Sequence, residues 1–213
     1  MATFRGELLR PPAGGAARAA PGSGRRRAAT PLARRTVVLA LTGIVLLGGG
    51  LRLAQASDPG RFISSDERSY ARIALNLAAG NGYAAPGSAD PWHWAPGTPA
   101  LFAAAHLLAP SADGDGSPEQ LRTAFWAQAL VGTALIVVAF LLAAGIAGPF
   151  AGLIAAGAVA TYPPLIRATG DLVSEPLGGL TLALAALALL GAWRRPSTGR
   201  IALAGGLLGV ALL

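Results

Sequence analysis

Two carboxylates stand side by side at Asp66 and Glu67, and two more, Asp171 and Glu175, lie four residues apart about a hundred positions later. A carboxylate held against a hydroxyl can take its proton as that oxygen attacks, which is the work of a general base. Arginines sit near both pairs, Arg68 and Arg72 beside the first and Arg167 beside the second. The planar guanidinium fork bonds two oxygens of a phosphate at once, so Arg72 and Arg167 are candidate phosphate ligands. Each of these arginines could equally be solvated or snorkel from an apolar surface.

The same acids have a purely structural reading. Ser64-x-x-Glu67 matches a capping box, in which Ser64 and Glu67 satisfy each other's backbone N–H at a helix start. Asp66 then lies in the first turn, where the helix dipole favours negative charge. Likewise Ser174 can cap a helix that opens on Glu175 and Pro176, and Asp171 can be a solvated loop acid. No metal centre is predicted. Cysteine is absent and the two histidines, His93 and His106, belong to no ligand-spaced cluster. A divalent cation such as Mg²⁺ or Mn²⁺ would have only Asp66 with Asp171 or Glu175 to hold it, if the fold brings them together.

The elements that must position these groups are read from the apolar runs. The chain is 53% hydrophobic and only 13% charged, outside the usual range for soluble domains. Residues 1–35 carry eight arginines against one acid amid Pro, Gly and Ala, and read as a disordered basic tail. Its charge abuts an apolar span at 36–53, which points to membrane orientation rather than to nucleic acid. "AQAS" at 54–57 also resembles a signal-peptide cleavage site, but the apolar runs downstream favour an uncleaved anchor. From Thr123 to Ile166 no charge occurs, a stretch that as one helix would be about twice the hydrocarbon thickness. The glycines and proline of "GIAGPF" at 145–150 predict a turn between helices at about 123–144 and 149–166, with Pro163 and Pro164 at the exit. A further span covers 176–193, and the run from Ile201 to Leu213 is too short to complete a fifth.

The expected fold is therefore an all-α polytopic membrane protein of about five transmembrane helices. Residues 54–122 form a long outer loop, and 123–213 hold helices two to five, the last incomplete, as in the N-terminal part of a longer protein. With the N-terminus cytoplasmic, the inner side holds eleven arginines and one acid and the outer side six arginines and nine acids, as the positive-inside rule requires of a cell-membrane protein. Within the outer loop, Tyr70, Ile73, Ala74 and Leu77 make an apolar stripe. Asp66, Ser69, Arg72 and Asn76 make a polar one, and Gly80 and Gly82 supply the stop. This predicts a surface helix with its apolar face against lipid or neighbouring spans.

"DERSYARIALNLAAGNGY" at 66–83 resembles the first-loop signature of GT-C membrane glycosyltransferases. The nearer likeness is to the dolichyl-phosphate-mannose–protein mannosyltransferase-like group, which includes the aminoarabinose transferases. Asp66-Glu67, Tyr70, Ala74, Asn76-Leu77, Gly80, Gly82 and Tyr83 match in order. "APGTPALFAAAHLL" at 95–108 is similar to that family's P-G-x-P segment leading into a membrane-facing helix. The resemblance implies a GT-C-like fold and inverting transfer of a sugar from a polyprenyl-phosphate donor. The acceptor would be a hydroxyl of a protein, lipid or glycan at the outer face, with Asp66 as general base. It also implies a second acid, for which Glu175 in "SEP" is the closer match, with Glu67 and Asp171 as further catalytic or substrate-binding candidates. Tyr83 and His93, the latter between Trp92 and Trp94, are candidate sugar contacts, although such aromatics also form interfacial belts. Two other classes compete: a membrane transporter, against which the acids lie in outer loops rather than within spans, and a non-catalytic membrane scaffold.

Overall fold

The computed structural model describes residues 31–58, 64–84, 94–108 and 118–211. Among these residues the protein is α-helical, with one 3-10 turn and no strand. The helices are α1 (Pro31–Ser57), α2 (Ser65–Ala78), α3 (Gly97–Leu108), α4 (Arg122–Ala147), α5 (Pro149–Thr161), α6 (Pro163–Arg167), α7 (Glu175–Arg194) and α8 (Thr198–Ala211). A 3-10 turn, Pro118–Leu121, leads into α4.

Among the described residues three helices are long and apolar enough to cross a membrane: Arg34–Ser57 within α1, Arg122–Ala147 and Glu175–Arg194, of 24, 26 and 20 residues. They mark a membrane protein. The other two expected spans are shorter apolar helices, α5 of 13 residues and α8 of 14. The expected helix over 149–166 is in fact two, because Tyr162 turns extended with ψ 112° ahead of Pro163 and Pro164. A residue before proline is driven out of the α region by the proline ring.

α1 is longer than the apolar run at both ends. It opens on Pro31, whose missing N–H is harmless in a first turn. It also runs through Ala54–Ser57, where Ala56 is buried, so the "AQAS" segment is helical. Gly148, with φ 93°, makes the expected reversal between α4 and α5, and α5 folds back along both α4 and α1.

Packing divides into two clusters. One joins Ala56 of α1, Tyr70, Ala71 and Ala74 of α2, Phe102 and Ala103 of α3, Leu121, Phe125 of α4 and Leu172. The apolar stripe of α2 therefore faces protein rather than lipid. The other is smaller, Ile136 of α4 with Ala156 and Ala160 of α5, flanked by Leu41, Ile44 and Val45 of α1. Here helices approach closely: a Cβ on Gly48 would lie 2.5 Å from Ile136 and 2.8 Å from Ala160.

Candidate functional site

The N-terminus of α2 is built as the capping box predicts. The Ser64 backbone N–H donates to a Glu67 carboxylate oxygen at 2.7 Å, and the Glu67 N–H donates to the Ser64 hydroxyl at 3.1 Å. Glu67 is consequently buried at 4% exposure, while Asp66, one residue earlier and turned outward, is exposed and accepts from the Ser65 hydroxyl at 3.1 Å. Adjacent acids thus have different surroundings. Helical geometry sends one carboxylate back to its own cap and leaves the other to solvent.

The far end of α2 is fixed just as locally. The Asn81 N–H reaches the Asn76 carbonyl at 2.9 Å and the Gly80 N–H reaches Leu77 at 3.1 Å, with Gly80 at φ 78°. That is a Schellman ending, whose left-handed residue favours glycine. The Asn76 side chain donates to the Ala84 carbonyl at 2.7 Å and the Tyr83 hydroxyl to the Trp94 carbonyl at 2.5 Å. Tyr70 meets Trp94 edge-on at 5.2 Å between ring centroids. Tyr83 is half-buried, and burial, then the neighbouring Tyr70, raises its phenol above the ordinary value. These matched positions of the first-loop pattern tie α2 to the segment ahead of α3. His93 lies outside the described residues.

The segment between α6 and α7 is held from α4. Gln128, 1% exposed, donates its amide to the carbonyls of Ala168, at 2.8 Å, and Asp171. Thr169 and Leu172 are fully buried, and Gly170 lies so near Gln55 of α1 that a Cβ would sit 2.7 Å from it. This brings the two acid pairs together. The Asp171 carboxyl is pushed above the usual carboxylate range by its own burial first, then by the negative charges of Glu67 and Glu175. Charges from segments a hundred residues apart therefore act on Asp171, while Asp66 is exposed in the first turn of α2.

Glu175 is exposed at the start of α7. Ser174 occupies the N-cap position but makes no side-chain cap bond. Together they line a cavity of about 350 Å³ with Gly97 and Thr98 of α3, Thr181 of α7 and Val210 of α8. Arg72 and Arg167 are exposed, on α2 and in the last turn of α6. Among the described residues no group of three or more His, Cys, Asp or Glu side chains could hold a metal ion.

Two buried polar residues carry no motif. Gln128 is a lone amide inside an uncharged run. Arg52, expected among the outward arginines, is instead completely buried within the first long helix. Comparison with protein-family models, curated proteins and solved structures finds no match to this chain.

Proposed function

We propose that this chain carries the acceptor-activating acids of an integral-membrane, inverting glycosyltransferase of GT-C type, working with a polyprenyl-phosphate sugar donor at the outer membrane face. One observation supports it most: Leu172, between Asp171 and Glu175, shares a buried cluster with α2, the helix that carries Glu67 and the exposed Asp66, and a cavity lies at the head of α7. The first-loop resemblance at 66–83 adds the reaction class. In this reading the acceptor oxygen attacks the anomeric carbon as its proton passes to the Asp66 carboxylate. The bond from that carbon to the carrier phosphate breaks, and the phosphate leaves with the electron pair. Arg72 or Arg167 would meet its charge.

The ends of the helices support the assigned side. Arg34, Arg35, Arg194, Arg195 and Arg200 flank the starts of α1 and α8 and the end of α7, opposite the acids. The positive-inside rule then makes the acidic end the outer one, with a cytoplasmic N-terminus. Arg52 is an intramembrane charge, which a transporter pathway would use. Its bonds go to backbone carbonyls, which favours the enzyme reading over the transporter.

The test is sugar transfer in membranes containing the full-length gene product, wild type against Asp66→Asn. Loss of transfer by about 10²-fold or more at equal folded protein is the expected result. Undiminished transfer would return Asp66 to a helix-capping role and bring the scaffold reading forward.

A further inference from the structure

Arg52 makes three hydrogen bonds, all to main-chain carbonyls: Nη1 to Gly48 at 2.9 Å and to Ala160 at 3.1 Å, and Nη2 to Val159 at 2.8 Å. The two acceptors on α5 are not arbitrary. In a continuing helix the carbonyl of residue i takes the N–H of residue i+4. For Val159 and Ala160 those donors would be residues 163 and 164, both proline, and proline has no N–H. The guanidinium supplies the donors that Pro163 and Pro164 lack. Orphaned carbonyls inside an apolar bundle are costly, and so is a buried cation. Each offsets the other, aided by the partial negative charge at a helix C-terminus.

The same pairing recurs at the opposite end of the bundle. The Gly145 carbonyl of α4 would be served by residue 149, which is Pro149, and Arg194 of α7 donates to it instead. Arg52 is the buried case, and Gly132 of α4 lies between it and the acidic segment. Gly132 of α4 leaves room for it, since a Cβ there would lie 2.9 Å from both Arg52 Nε and the Thr169 methyl. Thr169 directly precedes Gly170 and Asp171.

We propose that Arg52 is the positioning residue of the acidic site. By taking the place of two missing backbone donors it stabilises the break at Tyr162, and the break directs the segment carrying Asp171 toward α2. That this segment serves a reaction rests on the function proposed above; the pairing of arginine with prolines does not.

The test is a stability cycle on the full chain in nanodiscs: wild type, Arg52→Met, Pro163→Ala with Pro164→Ala, and all three changes together. Arg52→Met alone should lower the melting temperature by roughly 5–10 °C. In the proline-free background, where restored N–H groups serve the carbonyls, that loss should fall to about half or less. Equal losses in both backgrounds would overturn the pairing. If Arg52→Met does not fold, Arg52→Gln and Arg52→Lys are read through the same cycle.

Positioning is read separately, by spin labels at Arg68→Cys and Arg167→Cys, exposed sites in a chain without other cysteines. Arg52→Met with the prolines in place should shift or broaden the label distance, because the break at Tyr162 loses the donors that hold it. Unchanged distances would reduce Arg52 to a purely stabilising residue. Neither readout uses sugar transfer, so a failure of the proposed function leaves both decisive.

Discussion

The layer formed by α2, α3 and the head of α4 and the bundle of long helices beneath it place their side chains in opposite ways. In the layer the large apolar groups point inward: Tyr70, Ile73, Phe102 and Phe125 are buried, while Asp66 and Arg72 are outside. In the bundle many large groups point outward, although Leu135, Ile136 and Val138 are buried. Leu39, Leu46, Phe150 and Trp193 are 70–84% exposed, while Gly48, Gly132, Gly152, Arg52 and Gln128 lie between helices. Lipid accepts leucine as readily as a protein core does, so nothing drives leucine inward there. Small residues then allow close backbone approach, and polar groups find partners inside. Leu172, beside Asp171, packs in the layer, while Gln128 of α4 holds the same segment from the bundle.

The sharpest test of the contrast compares truncations of large apolar residues. Phe125→Ala should cost about 3–5 kcal/mol, as in a water-facing protein's core. Leu46→Ala, on the lipid side, should cost under about 0.5 kcal/mol, the scale of an ordinary surface change. Denaturation in bilayers reads both, and comparable losses would abolish the distinction. Next in size is Gly48→Ala, whose new methyl meets Ile136 and Ala160, at about 1–3 kcal/mol. Gly50→Ala on the same helix, with open space around it, should be neutral or stabilising.

Smaller again is the cap. Ser64→Ala should cost about 1 kcal/mol, whereas Glu67→Gln keeps the capping box and should cost less. A larger loss from Glu67→Gln would mean that its charge does more than cap. The smallest effect depends on pH. Asp171 has a raised carboxyl, so the folded state holds its proton more tightly than the unfolded chain does. Its contribution to stability is present below the ordinary carboxylate range and is lost as pH rises through the raised value. Asp171→Asn should therefore raise the melting temperature at neutral pH, with the gain vanishing below about pH 4. A gain independent of pH would remove charge as the cause.

Much of this architecture was legible in the residues. Ser64 and Glu67 announce their own cap, Gly80 its helix end and Gly148 its reversal, because each is settled within a few positions of chain. Hydropathy located α1, α4 and α7, although α1 extends past its apolar run at both ends. The arginine at 52 was misplaced, since a charge at the edge of a greasy run ordinarily marks the water boundary. Its burial is met by the carbonyls of Val159 and Ala160, far along the chain, together with that of Gly48 on its own helix. Glu67 and Asp66 were separated locally, since only Glu67 lies three residues after Ser64.

Sequence alone determined what is local or compositional: helical content, caps, turns, apolar spans and the asymmetric distribution of arginine. Tertiary structure alone decided what covers the apolar face of α2, that Arg52 serves α5, and that Leu172, beside Asp171, packs in one cluster with α2. The physical reason is range. Caps and turns are closed by hydrogen bonds to near neighbours, whereas Gln128 and Arg52 satisfy backbone groups 40 and 108 residues away. No pattern along the chain specifies such partners until the helices pack.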